Sequence, residues 1–171
     1  MKALMKFVLA MAMVLMMSGG AMADDFAAQG IVLLPGLTAG YTGPSSSWYN
    51  IISLSNITDK EVTCKITVYD HDGNDVTNHG QVYTGSYGIT SRKLLSSGVG
   101  DFAIPPRSTR LFLFGIVNTG LKTIDGHGVL KWKSTDTDLR RALIGSIRQI
   151  RIFGAGSGSN TNVLINNGQP F

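Results

Sequence analysis

The residues best equipped for chemistry lie between positions 64 and 79. Asp70-His71-Asp72-Gly73-Asn74-Asp75 sets oxygen donors at alternate positions, as a calcium loop does. The spacing departs from an EF-hand. A loop starting at Asp70 wants Gly at its sixth place and Glu at its twelfth, where Asp75 and Gln81 stand. His71 and His79 could meet across a hairpin, with Asp70 or Asp72 completing a transition-metal set. The third histidine, His127, sits in another Gly-rich stretch. Val-Tyr-Asp followed by x-Asp-Gly is equally the chemistry of a β-turn. The turn is the reading taken here, so no metal and no cofactor is expected.

Nucleophilic catalysis has less to build on. Gly-x-Ser-x-Gly is absent from the sequence. Cys64 is the one cysteine and lies between Val62 and Ile66 on the apolar side of an alternating run, where a free thiol behaves as a small hydrophobe. With a single cysteine no internal disulfide can form. Gly154-Ala155-Gly156-Ser157-Gly158-Ser159 has the composition of a phosphate cradle, but such a loop needs a helix after it, and a β pattern follows. No enzyme is expected.

Binding chemistry is better represented. Arg140, Arg141, Arg148 and Arg151, with Lys131 and Lys133, would form a basic sheet face if their strands were neighbours, suited to an acidic glycan or partner. Trp48, Tyr49, Tyr83 and Tyr87 could supply an aromatic platform for a sugar, although Trp48 reads equally as core. Asn56-Ile57-Thr58 has the pattern of a glycosylation sequon, and no weight is placed on it.

These residues ride on short strands. Val62, Cys64, Ile66 and Val68 alternate with Thr63, Lys65, Thr67 and Tyr69, the period of a strand with one buried and one wet face. The pattern predicts further strands over 31–34, 48–56, 101–104, 109–114, 128–134, 142–153 and 161–165. Pro35-Gly36 is expected to end the first, with 38–47 a loop. In 128–134, Leu130 and Trp132 point inward. Over 139–153 a helical spacing competes, but Ile150 and Ile152 alternate with polar neighbours and favour a strand bent at Gly145. Leu111-Phe112-Leu113-Phe114 is apolar on both faces, which suggests burial on both sides, with a subunit contact as one source. Residues 78–100 show no clear pattern, and a loop of that length in a compact domain is usually functional.

The first 23 residues read as a cleaved export leader. Lys2 and Lys6 precede the apolar run Phe7 to Met17, which is too short to span a bilayer, and Ala21-Met22-Ala23 is a small-x-small cleavage site. Removing 23 of the 171 residues leaves 148, with 13 basic against 11 acidic side chains. That near-balance gives no reason to expect a nucleic-acid partner. The terminal Phe171 has the look of an outer-membrane barrel terminus, but Pro170 cannot donate in a strand ladder and aromatic girdles are missing. No transmembrane span is expected in the mature chain.

Four turn motifs, at Asn56 to Thr58, Tyr69 to Gly73, Ile104 to Thr109 and Asn166 to Phe171, carry a resemblance. The chain is similar to the small sandwich of sensory rhodopsin transducer-like proteins, and to uncharacterised exported bacterial proteins ending in Asn-Asn-Gly-x-Pro-Phe. The resemblance implies a fold and no more, because the transducer-like proteins are cytosolic and this chain carries an export leader. The expectation is therefore an all-β chain: residues 24–171 form one antiparallel, immunoglobulin-like β-sandwich of about eight strands. It would act in the periplasm or outside the cell as a non-enzymatic binding or assembly module. Its partner would be itself, another exported protein or a glycan. A carbohydrate- or metal-binding accessory domain using residues 70–100 is the alternative.

Overall fold

The described residues form ten antiparallel strands: β1 (Gly30–Gly43), β2 (Ser46–Asn56), β3 (Val62–Asp70), β4 (Gly80–Thr84), β5 (Leu94–Ser97), β6 (Asp101–Ile104), β7 (Thr109–Gly115), β8 (Lys122–Ser134), β9 (Leu143–Phe153) and β10 (Ser157–Leu164). The structure is a computed structural model describing residues 26–43, 46–84, 92–98, 100–115, 122–154 and 157–171. The leader expected over 1–23, together with Tyr87, lies outside them. Two short 3-10 turns, Thr77–His79 and Ile165–Gly168, are the helical elements among the described residues. None is long and apolar enough to cross a membrane.

β2 organises the sheet. β9 pairs with it along one edge, from Ser46 to Asn56. Its other edge is shared: residues up to Trp48 pair with β1, and Tyr49 to Ser55 pair with β7. The strands therefore diverge into two layers. One runs β5-β4-β7-β2-β9-β10, and the other β1-β8-β3-β6. The sheet folds back on itself around one core, close to a barrel. Leu34, Ile66, Leu130 and Trp132 reach that core from one layer, and Ile52, Leu54, Phe114 and Ile147 from the other. Each such side chain contributes roughly 1.5–3 kcal/mol of transfer free energy.

The strand pattern departs from expectation at β8, which starts at Lys122 rather than at 128, and in three further places. β1 does not stop at Pro35-Gly36 but runs on to Gly43, with its register against β8 shifting between Leu34 and Leu37. Gly36 takes φ +64° there, so the Pro-Gly pair makes a bulge, where proline is tolerated. Side chains from the other layer hold the continuation. Gln149 Nε2 donates to the Gly36 carbonyl at 2.5 Å, and the fully buried Asn50 donates to that of Thr38. Asn50, the polar misfit on an apolar face, is there to hold β1. Second, the unpatterned 78–100 segment contains β4 and β5, a hairpin beside β7. Third, β10 starts at Ser157, inside the Gly/Ser-rich stretch expected to be a loop. The strand preferred over a helix at 142–153 is present as β9.

Three of the four turn motifs lock one end of the fold. Buried Asn56 donates through Nδ2 to the carbonyls of Lys60 (2.7 Å), Ile104 (3.0 Å) and Pro105 (3.1 Å), and its Oδ1 accepts from the Thr58 backbone and hydroxyl. Arg107 N–H donates to Thr58, and Asn56 N–H to Ser108. On the far side Ile57 N–H donates to Ala142. Ala142 and Leu143 N–H in turn donate to Phe171, whose own N–H donates to Leu143. Phe171 packs against the core, so the terminal aromatic closes this end from inside. The sequon nitrogen is buried and fully engaged, which leaves no room for a glycan in the folded chain.

Candidate functional site

The layer containing β2 has a second face, turned away from the core. Val82, Phe112, Ile52 and Ile147 fill the inner side, and the alternation places their neighbours outside. Cross-strand pairing sets these outer residues in rows. One row runs Gln81, Leu113, Ile51, Arg148, Asn162, and the next Tyr83, Leu111, Ser53, Ser146, Leu164. Ile51 and Leu111 are 2% and 6% exposed yet stand apart from the main core. They form a small apolar spot on a face that would otherwise be wet. Beside it, Ile51, Ser53, Ser146, Arg148 and Asn162 line a shallow depression of about 200 Å³.

This explains the doubly apolar strand. Phe112 and Phe114 belong to the core, whereas Leu111 and half-buried Leu113 belong to the outer spot. Leu111 is buried within a single chain, without a subunit contact. Composition alone could not separate the two pairs; the partners Ile51 and Tyr83 do.

Tyr83 borders the spot. Its hydroxyl donates to Gln81 Oε1 at 2.7 Å, and the Arg92 guanidinium carbon lies 4.8 Å from its ring centre. Tyr83 and Arg148 share this face with β7 and β2 between their strands, about 14 Å at the usual strand spacing. Arg151 does not join them. It pairs with Trp48 on the opposite parity and is exposed. Lys131 and Lys133 lie on β8 in the other layer, where Lys133 Nζ stands 4.4 Å over the Phe26 ring. The condition for a basic sheet face is therefore not met, because β8 and β9 are not neighbours. Arg92, Ile51 and Asn162 were not singled out from sequence. Only the pairing of β4, β7, β2, β9 and β10 brings them together.

The Asp-His loop serves structure. Asp70 Oδ1 accepts from the N–H groups of Asp72 (3.0 Å) and Asn74 (2.8 Å), and Oδ2 accepts from Asn74 Nδ2 at 3.0 Å. The Asn74 side chain, then its backbone N–H, hold the Asp70 carboxyl below the usual range. His71 Nε2 lies 3.4 Å from Asp72 Oδ2, both exposed, while His79 ends the following 3-10 turn. Among the described residues no three His, Cys, Asp or Glu gather as a metal would require.

No protein-family model matches the chain. No curated protein matches it either. Among solved structures, the fold is similar to the crystal structure of Thermotoga maritima 1070, at 10% sequence identity and a TM-score of 0.45, covering 81% of this chain and 96% of that one.

Trp48, Cys64 and Trp132 have structural places. Trp48 lies over Gly40 and Trp132 over Gly30, where a Cβ would overlap the indoles. Cys64 is fully buried, and burial pushes its thiol up to about 12. Native Cys64 should react with a thiol reagent at least about 10³-fold more slowly than the unfolded chain, since each pKa unit is tenfold in thiolate. Timed labelling at pH 8 with and without denaturant checks this. The unfolded thiol ionises first, so stability from this group is full below about pH 9 and is lost as pH rises toward 12. Cys64→Ala should flatten that alkaline decline.

Proposed function

We propose that this chain is an exported, non-enzymatic assembly module that associates with itself. The observation that carries the reading is apolar surface placed where a lone β domain would put polar groups. Ile152 and Phe153 are exposed on β9, and Val163 and Leu164 on β10. The groups best equipped for chemistry support the same reading. Asp70 is spent on a turn, and the Cys64 thiol is sealed in the core. Export rests on the Lys2/Lys6, Phe7 to Met17 and Ala21-Met22-Ala23 pattern, which suits a periplasmic or extracellular location. The divergence of strands at β2 supports reading the two layers as an immunoglobulin-like sandwich. Kinship with the transducer-like sandwiches rests on the four turn motifs alone.

The test is size-exclusion chromatography with light scattering on protein expressed with its own leader. The mass of an oligomer, in a chain cut between Ala23 and Asp24, is the expected result. A monomer at several hundred micromolar contradicts self-association, and a chain retaining residues 1–23 contradicts export. The carbohydrate or metal reading has less to stand on, because Arg92 lies against one face of Tyr83 and Asp70 is already engaged.

A further inference from the structure

An antiparallel sheet that does not close must end in edges, and each edge is a row of unpaired N–H and C=O groups. Among the described residues three strands lie at such ends: β5, β6 and β10. Two are blunted in the usual ways. β5 has four residues, and its partner register slips between Val82 and Tyr83. β6 also has four residues and carries the charge of Asp101. β10 has neither protection. It spans eight residues, Ser-Gly-Ser-Asn-Thr-Asn-Val-Leu, with no charge and no proline. Its register with β9 is unbroken from Ser157 to Leu164. Every residue of it is exposed, including Val163 (43%) and Leu164 (58%).

We propose that β10 is the assembly edge, and that it pairs antiparallel with β10 of a second copy across a two-fold axis. Such a contact is self-complementary, so one strand serves both partners. Backbone hydrogen bonds supply the affinity, as in strand addition. No like charges face each other, because β10 has none. The nearest arginines, Arg148 and Arg151, sit one strand inward on β9. Their counterparts would lie three strand spacings away, about 14 Å, beyond the screening length of about 8 Å in physiological salt. Val163 and Leu164 would gain cross-strand neighbours. This inference rests on the self-association reading above and specifies its surface.

The test is sedimentation velocity on the wild-type chain and on the double variant Ser159→Lys, Thr161→Lys. Both positions are exposed, and in an antiparallel pair the added charges confront each other or the partner's edge. The dimer dissociation constant should rise at least about tenfold. A second double variant, Asn160→Lys with Asn162→Lys, places the charges on the opposite face of the same strand and should act alike. A dimer that survives both variants overturns β10 as the edge while leaving self-association intact. A wild-type monomer overturns both.

Discussion

Replacing Asn56 by alanine should cost about 3–4 kcal/mol, a large share of the 5–15 kcal/mol that holds a domain of this size. The side chain is 2% exposed and donates to three carbonyls on two different turns, Lys60 on its own and Ile104 and Pro105 on the next. Alanine removes every donor and leaves acceptors that water reaches poorly. Each such group costs about 1–3 kcal/mol. The Thr58 hydroxyl and N–H lose their acceptor as well. Thr58→Ala removes one hydroxyl at the rim and should cost about 1 kcal/mol. Urea unfolding checks both: the midpoint should fall with the slope unchanged. Equal effects from the two variants would show that Asn56 does not bridge the turns.

Trp132→Ala should be the other costly change, at about 3–5 kcal/mol. Its indole is fully buried between Cys64 on β3 and Gly30 on β1. Gly30 has no side chain with which to fill the void, because its Cβ position is the space the indole occupies. Indole Nε1 has no hydrogen-bond partner among the described residues. Trp132→Phe therefore forfeits packing alone and should cost about 1–2 kcal/mol. A similar loss for Phe and Ala would mean that Nε1 has a partner after all.

How much could be read in advance depends on where the information resides. The alternation of Val62, Cys64, Ile66 and Val68 shows in sequence because burial on one face has a local period. The strand identity of β9 was read from the alternation of Ile150 and Ile152, although the residues it buries are Leu143 and Ile147, on the other face. β1 beyond Pro35-Gly36 was not. Its hold comes from Gln149 and Asn50, at 113 and 12 residues' separation, and local rules treat Pro-Gly as a stop. β10 was half hidden, because Gly and Ser carry little β propensity and its register is supplied by β9. The candidate face was the least visible. Tyr83 and Arg148 were recognisable as types, but the apolar spot between them exists only once β7 and β2 are placed side by side.

The most direct measurement is amide hydrogen exchange on the wild-type chain as a function of protein concentration. Its unpaired edge gives β10 amides that should exchange freely in a dilute monomer. If the module assembles through this strand, the outward-facing amides from Ser157 to Leu164 gain protection as concentration rises, while those of β5 and β6 stay unchanged. Protection of β10 that is independent of concentration, or a gain confined to another edge, would contradict the account.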